Sequence, residues 1–464
     1  MKQPVSDTNP YTRGIAQFVS ALSYESIPSE VTARIKLLIL DALGCGIFGA
    51  GLEWSRILQQ RLAVLDATQV SVVWGTGIRL SAPHAALVNG TQVPGFELDD
   101  MHHMGIMHTG SVVLPALFAI AETRPGMSGR DFLTAAVAGY EVGPRVGICM
   151  NPWHLGQGWH SDATCGTFAA AAGAARGLKL DAGKTVHALG IAGTQAAGLM
   201  AAQYGSMVKR MHAGRAAQSG LYAAFLADAG YTGIVNVFES DYGGFCTTFS
   251  RSTDRFDLPQ LTADFGSVWQ TMDVRLKFYA CVGSTHATLD AVREMRAERP
   301  FRCEEVVNII VYGSQVTVDK VGWPYVPQGL ASAQFNLAYC VATLLLEGQC
   351  FVDQFTDAKL TDPARIALAS KVSVRHDPAI LAQGPEYRQM VRVEVHLADG
   401  SRMERALVVS RDKEKFASDS EVVAKFENLA AHILPRERVE QLRDAVLGME
   451  KLPDAALPAR LMAI

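Results

Sequence analysis

The sequence predicts a mainly α-helical fold with an inserted α+β domain. About the first 250 residues are rich in Ala and Gly and repeat the spacing of helices. After about residue 265, runs of β-branched and aromatic residues indicate strands, and about the last 50 residues return to a helical pattern. We therefore expect a helical domain at residues 1–265, an α+β lid domain at 266–410, and C-terminal helices at 411–464 that return to the helical domain.

The N-terminal part contains several apolar helices that favour close packing. Val31–Gly49 is one, and residues 131–146 form another with Gly139, Gly143 and Gly147 at every fourth position. This spacing puts the three glycines near one helix face, where a neighbouring helix can approach closely. Asp181 is a predicted N-cap for a helix over residues 183–200.

The α+β part shows five strand-like runs and one clear turn. The turn is Ala398-Asp399-Gly400, which predicts a hairpin between the last two runs. The predicted strands are residues 274–279, 306–312, 372–375, 391–397 and 403–409, with a helix at 333–347 and further helices at 421–432 and 436–446.

Composition excludes several classes of protein. The net charge is -4, charged residues make up 19% of the chain, and no basic block provides a face for nucleic acid. The longest apolar stretch is too short to cross a bilayer, and the N-terminus lacks a secretory pattern. Eight cysteines occur singly without a CxxC pair, which favours buried thiols in a reducing cytoplasm over disulfides or a zinc site.

A dense polar segment follows the helices of the first hundred residues. It carries three carboxylates and three imidazoles within twelve positions. The residues are Glu97, Asp99, Asp100, His102, His103 and His108. A metal site, a solvated loop and an acid/base cluster are all consistent with this composition, although the segment lacks the usual metal-ligand spacing.

Two predicted helix starts carry polar groups. At the first, Ser111 is expected to cap a helix whose free N–H groups can hold a carboxylate. At the second, His160 precedes an Ala/Gly-rich helix and can face the same anion, although a structural role is also consistent.

A third polar group is cationic. Lys209, His212 and Arg215 recur at every third residue, so in a helix Lys209 and His212 share a face. Burying such charges requires an anion as partner, which makes carboxylate binding an alternative to a surface role. His286 follows another predicted helix start and is a weak signal alone.

Taken together, these segments resemble the MmgE/PrpD family. The matching stretches occur in family order across most of the chain. They are residues 89–100, 108–116, 158–161, 209–214, 277–286 and 335–355.

The resemblance implies a lyase, either a dehydratase or a decarboxylase, that acts on a small di- or tricarboxylate of the methylcitrate or aconitate type. It also implies a homodimer without metal or organic cofactor. We predict that the catalytic residues are His108, His160, Lys209, His286, Asp99 and Asp100, and that the substrate-binding residues are Ser111, Glu97, His103, His212 and Arg215.

Three other functions remain consistent with the residues. An epimerase or isomerase of a substituted succinate would use the same proton transfer without elimination. A metal-dependent hydrolase would use His102, His103 and His108, and a carboxylate-binding protein would have no turnover. Two departures from the usual family pattern, Met101 after the paired acids and Thr109 after His108, lie where substrate contacts are expected.

Overall fold

The protein is described by a computed structural model covering residues 9–203, 206–409 and 417–464. Contacts within the chain divide it into two units. The first unit contains Met1–Gly95, Asp99–Leu276 and Ser418–Ile464, and the second contains Phe96–Leu98 and Lys277–Ala417. The predicted boundary between residues 410 and 411 lies outside the described residues.

The described structure is mainly α-helical, as predicted. The helices of the first unit are α1 Pro10–Ala21, α2 Ser29–Gly49, α3 Glu53–Leu65, α4 Ala82–Gln92, α5 Thr109–Thr123, α6 Gly129–Met150, α7 Trp153–Gly156, α8 Ser161–Gly177, α9 Ala182–Gly193, α10 Val208–Asp228 and α11 Phe245–Ser250. Those of the second unit are α12 His286–Glu298, α13 Gln315–Val321, α14 Leu330–Gln334, α15 Leu337–Glu347, α16 Asp357–Leu360, α17 Pro363–Ala369 and α18 Pro378–Leu381. The first unit is completed by α19 Asp419–Ala430, α20 Arg436–Leu447 and α21 Leu457–Leu461.

The core of the first unit is built around α5, α6 and α8. The predicted close approach at the α6 glycines is confirmed, because a Cβ on Gly143 would lie 2.6 Å from the Cβ of Ala169 in α8. A Cβ on Gly147 would lie 2.2 Å from the carbonyl oxygen of Gly105. Both distances are shorter than side chains tolerate, so glycine is required for this packing.

Helix α10 packs against α4 through a second close contact. A Cβ on Gly214 would lie 2.0 Å from the carbonyl oxygen of Leu87, so only glycine lets the two backbones approach this far. The contact fixes the position of α10, whose first turns carry Lys209 and His212.

A buried ion pair joins the N- and C-terminal parts of the first unit. Lys425 of α19 lies 2.5 Å from Asp41 of α2, and both side chains are buried. Helix α2 packs along α19 at this point, so the pair neutralises a carboxylate inside the core.

The second unit contains a four-stranded sheet. Its strands are β5 Val306–Gly313, β6 Val372–His376, β7 Val391–Leu397 and β8 Arg402–Leu407, in the order β6-β5-β7-β8. β5 pairs parallel with β6 and antiparallel with β7, and β7 pairs antiparallel with β8. The predicted hairpin is confirmed, with Gly400 at φ +84° in the turn between β7 and β8.

The described strands of the first unit form two-stranded sheets. They consist of β1 Ser71–Val72 with β2 Arg79–Leu80, and β3 Met101–His102 with β4 Val274–Arg275.

Three predicted elements have different limits in the structure. The strand expected at residues 274–279 extends only over Val274–Arg275, because its partner β3 has two residues. The helix expected at 333–347 is broken between α14 and α15, where the Asn336 side chain accepts the N–H of Tyr339 and starts a new helix. The helix that follows the confirmed N-cap Asp181 ends at Gly193 rather than at residue 200.

Among the described residues, no single helix has both the length and the hydropathy needed to cross a bilayer. Helices α2 and α3, which are bent by 80° relative to each other, meet these two criteria only when they are taken together, and only by length and composition.

Candidate active site

Two acids and a histidine meet at the start of α5. His108 occupies the N-cap position, and its Nδ1 lies 2.7 Å from the carbonyl oxygen of Asp100 and 3.1 Å from a carboxylate oxygen of Asp99. Both neighbours of Nδ1 are acceptors, so Nδ1 carries the proton. Nε2 is then the ring nitrogen that exchanges a proton with a substrate.

The carboxylate of Asp100 holds the helix start itself. It accepts the N–H of Gly110 at 3.0 and 3.1 Å and the hydroxyl of Tyr140 at 3.0 Å. Burial, with added repulsion from Asp99 and Asp41, raises the pKa of Asp100 to about 7. The N–H group of Gly110, at the start of α5, is therefore already bonded to a carboxylate of the chain itself.

Ser111 is not the cap of α5, contrary to the prediction. The cap position belongs to His108, and Ser111 lies within the first turn. Its hydroxyl donates to the carbonyl oxygen of His108 at 2.7 Å, because a serine at this point of a helix can bond back to the preceding turn.

The start of α8 lies beside the start of α5. His160 is the N-cap residue of α8, and Asp162 lies in its first turn. The carboxylate of Asp162 accepts the backbone N–H of His108 at 2.8 Å and lies 3.4 Å from Nε2 of His160. Asp162 therefore connects the two histidines.

A second imidazole contacts His160. The Nδ1 atoms of His160 and His212 are 3.1 Å apart, so one ring donates and the other accepts. Burial lowers the pKa of His160 to about 4, with Lys209 and His212 adding to the effect and Asp162 opposing it. Burial also lowers the pKa of His212, and Lys209 lowers it further. Both rings are therefore neutral near pH 7.

The cationic residues of α10 have different environments. Lys209 is half-buried and lies one turn before His212 on the same helix, as the spacing predicts. Arg215 is exposed and donates to Gln218 one turn further along α10. Lys209 therefore belongs to the imidazole cluster, whereas Arg215 lies on the outside of the helix.

The structure thus brings five predicted residues of the first unit into one cluster. It runs from Asp99 to His108, through Asp162 to His160 and His212, with Lys209 beside the histidines. Asp162 was not predicted as a functional residue. The only sequence signal was an acid two positions after His160, which does not reveal a contact with residue 108.

The metal site considered for His102, His103 and His108 is not formed within the described ranges, where the one group of three close ligand atoms consists of cysteines. Nδ1 of His102 accepts the N–H of Gly105 at 3.0 Å, and burial lowers the pKa of His102 to about 4. His103 is half-buried directly after β3. These contacts give His102 a structural role.

Two predicted site residues belong to the second unit. Glu97 is buried, has φ +58°, and lies 3.7 Å from Nζ of Lys277. His286 begins α12, where its Nε2 lies 3.1 Å from the carbonyl oxygen of Cys281 and its ring packs edge-on against Tyr279. Their roles at an active site stay predictions.

A cavity of about 400 Å³ lies elsewhere in the first unit. Its polar residues include Arg79, Glu122, Asp454 and Arg460, and it contains none of the predicted site residues. Because the predicted site residues meet in the histidine cluster and not in this cavity, we assign the proton chemistry to the cluster.

The chain matches both models of one known family. The MmgE/PrpD N-terminal domain model matches residues 13–257, and the MmgE/PrpD C-terminal domain model matches residues 279–451.

Several curated proteins are similar over nearly their whole length. A cis-aconitate decarboxylase-like protein of Aspergillus oryzae is 34% identical, with 97% of this chain and 98% of that protein covered. A cis-aconitate decarboxylase of Aspergillus terreus is 33% identical, covering 96% and 94%. The cis-aconitate decarboxylase of Homo sapiens is 30% identical, covering 97% and 94%.

Proposed function

The chain belongs to the MmgE/PrpD family, and from this premise we propose that it is a lyase that removes carbon dioxide from cis-aconitate or a closely similar unsaturated tricarboxylate. The names of its full-length relatives support this substrate. The observation that carries the proposal is the cluster of Asp99, His108, Asp162, His160 and His212 beside Lys209. It combines a proton donor with groups that bind carboxylates.

The reaction requires one proton and a place for negative charge. When the bond between carbon and the departing carboxylate breaks, its electron pair forms a new C=C bond. The pair of the old C=C bond moves to the carbon next to another carboxylate, and a proton must be added there. The products are carbon dioxide and a methylene-bearing dicarboxylate, and each turnover consumes one proton.

His108 is the proton donor in this scheme. The Nδ1–H is donated to the carbonyl oxygen of Asp100, and the charge of Asp99, 3.1 Å from Nδ1, stabilises the imidazolium. Nε2 then delivers the proton to the substrate carbon. Asp100 fixes the start of α5 and the orientation of His108 through its own carbonyl oxygen, so we assign it a positioning role.

His160, His212 and Lys209 bind the substrate carboxylates and the developing charge. Lys209 is the cation of the cluster, and the neutral ring that accepts at Nδ1 in the His160–His212 contact carries its proton on Nε2, where it can donate to a carboxylate. An anion beside His160 favours its protonated form, so substrate binding should raise the lowered pKa of this ring.

The proposal also covers the location, the oligomeric state and the cofactor use of the enzyme. We propose a cytoplasmic homodimer whose reaction uses no metal or organic cofactor, as the resemblance implied. Seven of the eight cysteines are buried free thiols, which is consistent with a reducing compartment. Size-exclusion chromatography with light scattering tests the dimer, and turnover that does not change when divalent cations are added to the assay tests the independence of metal.

The decisive experiment is product analysis with purified protein. Incubation with cis-aconitate in deuterated water should release carbon dioxide and place one deuterium on the product carbon, as seen by NMR. Citrate and 2-methylcitrate serve as parallel substrates, since release of water from either would instead indicate the dehydratase. Deuterium exchange without loss of any group would indicate an epimerase.

Two variants connect the activity to the cluster. Lys209→Ala should lower kcat/KM about a hundredfold or more, because it removes a charged partner of the transition state. Arg215→Ala is the matched control on the exposed side of the same helix and should change kcat/KM less than about twofold. Equal rates for all three proteins would refute the site.

A further inference from the structure

Three cysteines of the second unit converge on one point. Cys281 precedes α12, Cys340 lies within α15, and Cys350 follows α15. Their Sγ atoms all lie within 4.8 Å of one another, and the three residues are at most 1% exposed. Across the described ranges, this is the one group of three close ligand atoms from Cys, His, Asp or Glu.

Ordinary core packing does not require this arrangement. A free cysteine behaves in a core as a small apolar side chain, so each of the three could face a different part of the interior. Instead, three segments separated by 59 and 10 positions direct their sulfur atoms to one place. The spacing contains no CxxC pair, which is why the sequence did not indicate the group.

The distances agree with thiolate coordination of a metal ion. Tetrahedral zinc with bonds of about 2.3 Å to sulfur requires sulfur atoms about 3.8 Å apart. The three sulfur atoms, which lie within 4.8 Å of one another, are therefore at most about 1 Å further apart than zinc coordination requires.

We propose that Cys281, Cys340 and Cys350 form a binding site for a thiophilic d10 cation, Zn²⁺ or Cu⁺. Soft thiolates select both ions, and the three thiolates supply three of the four ligands that a tetrahedral zinc site requires. Each thiol loses its proton on coordination.

The neighbours of the sulfur atoms support this site. Nε2 of His286 lies 3.1 Å from the carbonyl oxygen of Cys281, and the buried Arg365 acts electrostatically on the Cys350 sulfur. Both are basic groups, which suits a cluster whose three thiolates exceed the charge of the ion. The hydroxyl of Thr285 lies 2.9 Å from the sulfur of Cys281.

The proposed ion would connect the segment before α12 to the two ends of α15. This segment contains Tyr279 and leads directly into His286. Metal binding would therefore stabilise the start of α12, and its free energy would contribute to folding of the second unit.

Metal content of the full chain tests the proposal. Protein purified under reducing conditions should contain close to one zinc or copper ion per chain, as measured by elemental mass spectrometry. Cys340→Ser should lower this content at least about tenfold. The matched control Cys165→Ser replaces a buried cysteine of the first unit and should keep the full content.

A second measurement avoids substitution of a buried residue. Wild-type protein stripped by a chelator should take up Co²⁺ with an intense thiolate-to-metal charge-transfer band, and Zn²⁺ or Cu⁺ should abolish the band in competition. The ion that displaces it at the lower concentration is the natural occupant. Absence of both metal and band, or a disulfide between two of the three cysteines in the reduced preparation, would overturn the proposal.

Discussion

The starts of α5 and α8 use the same local design for different purposes. Each helix has a histidine at its N-cap position, and each has a carboxylate within contact distance of that histidine. His108 directs Nδ1 to the carboxylate of Asp99, whereas His160 directs Nδ1 to another imidazole. The first arrangement stabilises the protonated form of His108. The second keeps His160 and His212 neutral.

The difference shows that a residue's protonation state is set by partners distant in sequence. Asp99 is nine positions before His108, but His212 is 52 positions after His160. Two histidines with similar local sequence therefore become a proton donor and a neutral hydrogen-bonding group. The following predictions test this distinction, from the largest expected effect to the smallest.

Removing the proposed proton donor should have the largest effect. His108→Gln should lower kcat about 10²- to 10⁴-fold with little change in KM, because it eliminates general acid catalysis. His160→Gln should raise KM more than it lowers kcat, since His160 binds a carboxylate. Steady-state kinetics of both variants decides the matter, with the exposed His432→Gln as control. If His108→Gln and His160→Gln changed kcat and KM in the same way, the two histidines would not have the different roles proposed for them.

The neutral state of His160 should also appear in protein stability. Its pKa is about 4 in the folded protein and about 6.5 when unfolded, so the unfolded chain binds the extra proton between these values. The free energy of unfolding should therefore fall as the pH falls from about 6.5 to about 4, with His160 contributing about 3 kcal/mol. Urea titrations of wild type and His160→Gln across this range measure the contribution. A wild-type profile that runs parallel to the variant would contradict it.

Neutralising the carboxylate beside His108 should have a smaller effect on turnover. Asp99→Asn keeps the shape of the side chain but removes the negative charge 3.1 Å from Nδ1 of His108, a contact with a charged group worth about 1.5–3 kcal/mol. That loss corresponds to roughly a 10- to 150-fold decrease in kcat. The pH profile of kcat should change as well. A decrease without any change in that profile would indicate a purely structural role for Asp99.

The smallest expected effect concerns the support of the α5 start. Tyr140→Phe removes the 3.0 Å hydrogen bond to Asp100 and should lower the free energy of unfolding by about 1 kcal/mol. Chemical denaturation measures this value. An unchanged stability would show that Gly110 alone is sufficient to hold Asp100.

Much of the fold followed from local patterns. The glycine-rich face of α6, the N-cap Asp181 and the hairpin at Gly400 each depend on a few neighbouring residues, so the sequence was enough. Element ends were less predictable, because β4 is limited by its two-residue partner and α15 is started by a side chain within the expected helix.

The site was predictable in its residue types but not in its connections. Lys209 and His212 were placed on one helix face by spacing alone, as the structure has them. The role of Asp162 and the meeting of three cysteines arise from long-range packing, which no spacing in one segment reveals. The cap of α5 was wrongly assigned to Ser111, because the N-cap residue, His108, lies three positions earlier.

The ion pair between Asp41 and Lys425 has a consequence for synthesis of the chain. A ribosome makes the segment up to residue 276 long before it reaches Lys425, so the carboxylate of Asp41 lacks its ion-pair partner during most of translation. An uncompensated buried charge costs about 3–5 kcal/mol, enough to keep α2 from settling in its final environment. The first unit should therefore mature only after α19 leaves the exit tunnel, and a nascent chain stalled near residue 400 should remain sensitive to protease around α2.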